Sequence, residues 1–209
     1  MTRDLSSLYH LKKKDVKKAA QIFARAFHTD LLAQYIFPKE DFRREILPRY
    51  FNYRIKFGIL YGEVYAPSPN IEGLAVWFLS DEFKMTNWRN FRAGGMKLLL
   101  NVDKETMKRM NTINHFSTNL RNDYTTSKYW YLAPIGIDPI NQGKGLASRL
   151  MRPMLARIDS EQLPCLLETQ STKNVNIYKR YGFEIVKESV LPSSPIPHWL
   201  MARQPTKEK

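Results

Sequence analysis

The stretch between residues 129 and 168 constrains the fold most. An apolar run, Tyr-Trp-Tyr-Leu-Ala-Pro-Ile-Gly-Ile, leads into a turn holding Gly143 and Gly145, then a helical pattern over 145–160 and a second apolar run over 165–168. Strand, helix, strand at this spacing is a βαβ unit, so the two strands are expected to lie parallel. A short helix over 174–181 follows, with Gly182 as its predicted C′ residue. Strands are expected near 183–191 and 198–202, joined by the proline-rich loop 192–197.

The N-terminal half reads differently. Val16, Ala19, Ala20, Ile22, Phe23, Ala26 and Phe27 recur at helical spacing, which predicts a helix over 15–27 with Asp15 as its N-cap. A second helix is expected over 41–57, kinked or restarted at Pro48. Runs at 62–66 and 73–79 flank Ala-Pro-Ser-Pro-Asn-Ile-Glu and predict an antiparallel hairpin. Residues 81–128 carry helical spacing broken at Gly94 and Gly95, so two or three inserted helices are expected to cover one side of a cleft. A chain of 209 residues with 43% hydrophobic content holds all this as one domain over 1–209, of α/β class.

Lys plus Arg number 33 against 20 for Asp plus Glu, a net charge of +13 that favours an anionic partner. Lys12, Lys13, Lys14, Lys17 and Lys18 form the densest basic run, and a solvated helix face accounts for it. No zinc-finger spacing, aromatic RNA-binding motif or basic zipper accompanies the charge, so no specific nucleic-acid partner is expected. The single Cys165 forms no internal disulfide and belongs to no Cys/His cluster, so no metal is expected and a reducing compartment fits. No run is long enough to cross a bilayer and no apolar leader follows the first residues, so the expectation is a soluble, cytoplasmic protein without a membrane partner. The oligomeric state, monomer or homodimer, stays open.

The turn itself carries chemistry. Gly143 and Gly145 stand where a strand ends and a helix begins, where unpaired N–H groups and the helix dipole suit a phosphate. Glycine there lets a ligand approach the backbone, or simply makes a tight connection. Gln142 and Lys144 add a donor and a positive charge. A P-loop is excluded because Gly145, not Ser or Thr, follows Lys144. A dinucleotide fingerprint is the closer rival, since Gly143 and Gly145 fit it, but five residues separate Ile137 from Gly143 and only one clear βαβ unit is present.

Two segments together, Ile135-Gly-Ile-Asp-Pro-Ile-Asn-Gln-Gly-Lys-Gly-Leu-Ala147 and Asn174-Val-Asn-Ile-Tyr-Lys-Arg-Tyr-Gly-Phe183, resemble the GNAT superfamily of acyl-CoA N-acyltransferases. The first is similar to its pyrophosphate motif and the second to its Asn-x-x-x-Tyr…Gly-Phe motif. Trp130 to Leu146, the run Leu-Leu-Glu-Thr and the ending Pro-His-Trp-Leu-Met-Ala-Arg-Gln-Pro look most like the puromycin N-acetyltransferase-like branch. The resemblance is good over 129–203 and poor over 81–128. It implies a mixed, mostly antiparallel twisted sheet flanked by helices, with two central parallel strands splayed at the cofactor cleft.

It also implies acetyl-CoA as cofactor and acetyl transfer to a primary amine, of a small molecule, directly in a ternary complex. The backbone of Ile135, Gly136 and Ile137 would pair with pantetheine, and Gln142, Gly143, Lys144, Gly145, Leu146 and Ala147 would hold the pyrophosphate. Asn174 would bond the pantetheine side, and Tyr178 would act as general acid on the departing thiolate. Acyl transfer to an amine also needs a base, and Trp130 to Ile137 carry no carboxylate. Glu168, directly or through water, is the favoured candidate; Asp30 and His115 are candidate acceptor-binding residues. Cys165 and His198 read as structural. A non-catalytic CoA-binding sensor, or a protein lysine or N-terminal acetyltransferase, are the alternatives.

Overall fold

Each strand of the sheet presents alternate side chains to its two faces, and this period sorts the core into two layers. A computed structural model describes residues 5–206. The elements are β1 (Tyr9–His10), α1 (Val16–Ala26), α2 (Leu31–Ile36), α3 (Glu40–Tyr61), β2 (Glu63–Ala66), β3 (Gly73–Leu79), α4 (Asn87–Arg92), α5 (Gly95–Leu99) and α6 (Lys104–Tyr124). Then come β4 (Trp130–Ile137), α7 (Leu146–Ser160), β5 (Cys165–Thr169), α8 (Thr172–Lys179), β6 (Glu184–Val190) and β7 (Pro197–Arg203).

The seven strands form one sheet in the order β1-β2-β3-β4-β5-β7-β6. All neighbours are antiparallel except β4 and β5, which are parallel as the crossover requires. Val76 and Phe78 of β3, Tyr131 of β4 and Leu166 of β5 face α1 and α3, packing with Phe23, Phe51 and Phe57. Trp77, Trp130 and Leu167 face the other way, onto Leu150 and Met154 of α7. By the same alternation Glu168 falls on the face of Leu166, beneath the N-terminal helices rather than α7.

Several elements differ from the sequence expectations for physical reasons. Asp15 adopts helical dihedrals and does not cap α1; its carboxylate accepts from the Lys12 amide and the Tyr9 hydroxyl, both at 2.8 Å, closing a 3₁₀ turn just before the helix. α3 runs unbroken through Pro48, longer than expected, because Ile46, Leu47, Phe51 and Ile55 are buried around it and packing outweighs the missing hydrogen bond. α2 and β1 were not expected: both are short, and their sequences carry less than two clear periods. Insertion 81–128 folds as three helices, with Gly94 at φ +90° making the break between α4 and α5. The basic run Lys12 to Lys18 is solvent-exposed.

Candidate active site

The cleft begins where two parallel strands part. β4 and β5 pair only at Trp130–Leu132 with Cys165–Leu167. Beyond that β4 stays with β3, Ile135 opposite Ala75 and Ile137 opposite Gly73, while Glu168 and Thr169 of β5 pair with Leu200 and Trp199 of β7. Pro134 stands in the parted stretch, where it has no N–H to give. Gly136 is required by packing against the aromatic rings on the α1 side of the sheet: a Cβ there would lie 2.7 Å from the Phe27 ring.

After β4 the chain makes the expected turn. Asp138 is buried and ion-paired with Arg25, and a 3₁₀ turn over Pro139–Asn141 follows. The Gln142 amide donates to the Ile137 carbonyl at 3.2 Å, and the Lys144 ammonium donates to the Asn141 side chain at 2.8 Å. Gly143 and Gly145 have φ of +77° and +72°, and a Cβ on either would meet no protein atom within 4 Å. Leu146 and Ala147 open α7 just behind, so their amides belong to the helix's unpaired first turn.

Asn174 and Tyr178, one helical turn apart on α8, line a cavity of about 550 Å³ that passes Ala133, Pro134 and Ile135 and continues beneath insertion 81–128. Burial pushes the Tyr178 phenol up, and the nearby charge of Asp30 adds to the shift. Asp30 lines the same cavity. One of its oxygens, Oδ1, accepts from the Leu32 and Ala33 amides at 3.0 and 3.1 Å, capping α2. Burial raises the Asp30 carboxyl pKa against the pull of those two amides.

Glu168 is buried in a network. Its Oε1 accepts from Arg121 of α6 and from the Tyr131 hydroxyl at 3.1 Å, and its Oε2 lies 3.0 Å from His198 Nε2. The Arg121 guanidinium also stacks 4.4 Å from the Tyr131 ring centre. His198 Nδ1 is 2.8 Å from the Gln170 amide nitrogen, so with Gln170 donating, the ring proton sits on Nε2 toward the carboxylate. Burial alone would raise the Glu168 carboxyl pKa, but His198 and Arg121 outweigh it and bring it to about 2. A carboxylate this weakly basic and this fully partnered is a poor direct proton acceptor.

Thus Tyr178, Asn174, Ile135, Asp30 and Glu168 all border one cavity. His115 does not. Met110, Asn114, Ser117 and Arg121 of α6 face the cavity at helical spacing, whereas His115 is exposed on another face beside Lys104 and Lys108. Its expected place in the site is therefore corrected. Arg121, Tyr131, Arg54 and Gln170 border the cavity without having been singled out from the sequence. No group of His, Cys, Asp or Glu able to hold a metal occurs among the described residues.

Residues 117–203, which contain the splayed strands, the glycine turn and α8, match the family described as acetyltransferase (GNAT) domain. The chain carries a GNAT acetyltransferase domain. That makes it an acyltransferase. An uncharacterized N-acetyltransferase of Schizosaccharomyces pombe is 28% identical over 95% of this chain and 83% of its own length. The GNAT fold extends beyond the matched segment. A Corynebacterium glutamicum structure described as histone acetyltransferase HPA2 and related acetyltransferase superposes with a TM-score of 0.67 at 18% identity, covering 97% of this chain and 98% of that one. Arylalkylamine N-acetyltransferase 2 of Aedes aegypti gives 0.61 at 12% identity, over 95% and 98% of the two chains. The polyamine N-acetyltransferase of Drosophila melanogaster gives 0.58 at 12% identity, over 94% and 98%. None of these relatives singles out the puromycin-type branch of the GNAT family.

Proposed function

We propose that this GNAT domain transfers an acetyl group from acetyl-CoA to the primary amine of a small molecule, directly, within a ternary complex. The observation that carries this reading is the meeting of a protonated phenol, Tyr178, and an accessible carboxylate, Asp30, in one cavity where β4 leaves β5. The named specificities of the arylalkylamine and polyamine relatives agree with a small-molecule acceptor.

The residues present fit acetyl-CoA. β4 beyond Leu132 offers unpaired backbone on its β5 side, the edge an extended pantetheine would take. The open space over Gly143 and Gly145 and the first turn of α7 suit a pyrophosphate, with Lys144 near by. Asn174 faces the path between them. When bound, acetyl-CoA would supply an activated acetyl group and a thiol leaving group.

The remaining work falls to this chain. Asp30 Oδ1 is engaged by the α2 amides, leaving Oδ2 to accept from an ammonium. A carboxyl with a raised pKa is better suited than Glu168 to take the amine's proton, directly or through water. Tyr178 keeps its proton at neutral pH and gives it at the thiolate side. Glu168 is then a positioning residue, holding Arg121 and His198 rather than moving a proton. Cys165 is fully buried on the far face of β5, which supports direct transfer over a cysteinyl intermediate.

Thiol release from acetyl-CoA across a panel of primary amines tests this reading, together with calorimetric titration of CoA. Binding in the micromolar range with amine-dependent release is expected. No binding at high micromolar CoA overturns the cofactor; binding without release for any amine leaves the sensor reading instead.

A further inference from the structure

We infer that the acceptor is a monoamine: one ammonium on a bulky, apolar body, with no second positive charge. This rests on the acetyl-transfer reading above and narrows it by the charges in the cavity. Four charged side chains border it, Asp30, Glu168, Arg54 and Arg121. Arg121 and Glu168 are spent on each other, with Tyr131 and His198 completing the carboxylate's partners. Arg54 has no carboxylate partner among the described residues; its Nη1 lies 4.0 Å from the Met85 sulfur. The cavity therefore has one seat for a cation, at Asp30, and a second cation elsewhere in it would meet Arg54 with no free carboxylate to neutralise it.

The walls between these charges are apolar. Phe51, Phe83, Met85, Met107 and Met110 surround the space, three of them methionines that repack around irregular shapes. The same lining runs out to the surface. Phe91, Met96 and Leu99 border the cavity yet are 59%, 52% and 39% exposed, so α4 and α5 form an apolar lip at its mouth. From residue 83 to residue 102 the chain has Lys84, Arg89, Arg92 and Lys97 and no acidic residue, and of these Arg89 is paired with Glu82 just before the segment. The segment that carries this lip thus holds Lys84, Arg92 and Lys97 without an acidic residue of its own, which disfavours a polycation, whereas an apolar tail is covered by Phe91, Met96 and Leu99.

Octylamine and the eight-carbon diamine with an amine at each end separate the possibilities, since they share a chain and differ by one charge. Octylamine is expected to exceed the diamine in kcat/KM by at least about tenfold. Arg54→Glu supplies a second carboxylate and should narrow or reverse that gap; Arg54→Gln, which only removes the charge, should narrow it less and serves if the first variant folds poorly. Phe91→Ser should raise KM for octylamine by a larger factor than KM for methylamine. Equal or better turnover of the diamine by the unmodified protein overturns the monoamine assignment while leaving acetyl transfer standing. An unchanged gap in Arg54→Glu with native melting overturns the role of Arg54. Absence of thiol release with every amine removes the acetyl-transfer reading and this inference together.

Discussion

Arg121, on the last turn of the inserted helix α6, donates to the carboxylate of Glu168 on the central strand β5, across 47 positions of sequence. Both side chains are buried, so each depends on the other for its charge. Replacing one alone, Glu168→Gln or Arg121→Met, is expected to cost about 3–5 kcal/mol because an uncompensated group is left inside. Replacing both with apolar residues should recover a good part of that loss. Urea denaturation of the two single variants and the double variant checks this; strictly additive losses would show the pair is not coupled.

The same pair sets an acid limit. The Glu168 carboxyl has its pKa lowered from 4.5 to about 2, so its contribution to stability is complete above pH 4.5 and disappears as pH falls toward 2. The melting temperature of the unmodified protein should therefore fall over that interval more steeply than that of Glu168→Gln. Parallel curves would remove Glu168 from the acid response.

Much of this architecture was legible in the sequence because local chemistry dictates it. Gly143 and Gly145 sit at positive φ where a helix starts, and the strands on either side are apolar runs bounded by turn residues. The parallel pairing of β4 with β5 follows from the intervening helix. The Arg121–Glu168 contact was not legible, since nothing in the pattern of 81–128 says which α6 arginine turns inward. Helical spacing alone left the phase of α6 free, and this is why His115 was expected in the site although it lies on an outward face. Asp30, a candidate acceptor-binding residue from the sequence, borders the cavity and also caps α2, and the short α2 gives no periodic signal to reveal the cap.

Tyr178→Phe removes one hydroxyl and leaves the ring against Phe183. A drop in kcat of about 10²-fold or more is expected, with CoA affinity within a few-fold of the unmodified protein. Stopped assays at saturating amine, paired with calorimetry, check it. An unchanged kcat would remove the phenol from proton transfer.

Asp30→Asn keeps a side-chain oxygen for the Leu32 and Ala33 amides, and Asn caps helices as well as Asp does. Because burial raises the Asp30 carboxyl pKa, ionisation of Asp30 opposes folding, and this opposition grows as pH rises through the folded pKa. At neutral pH the variant should melt at the same temperature or higher. Its kcat/KM for amines should nonetheless fall by about tenfold or more, through loss of the ammonium's partner. Lower melting with unchanged kcat/KM would show a cap and nothing else.

Gly143→Val tests the turn. A Cβ at this position meets no protein atom, so the cost to folding is backbone strain alone, about 1–2 kcal/mol. The added side chain occupies the space above the turn, and CoA affinity should fall by more than that strain accounts for, at least about tenfold. Calorimetric titration beside thermal melting separates the two effects. Unaltered CoA binding would move the pyrophosphate away from this turn.

An unpaired strand edge normally sits at the rim of a sheet, where it invites other chains to add to it. Here the free edge of β4 beyond Leu132 lies inside the sheet, flanked by β5 at the base of a V. Another folded molecule cannot bring a strand into that wedge, so the protein keeps unsatisfied backbone on offer without the usual hazard of aggregation. Concavity does the screening that charge or proline does on an outer edge, and it admits only a slender, extended chain.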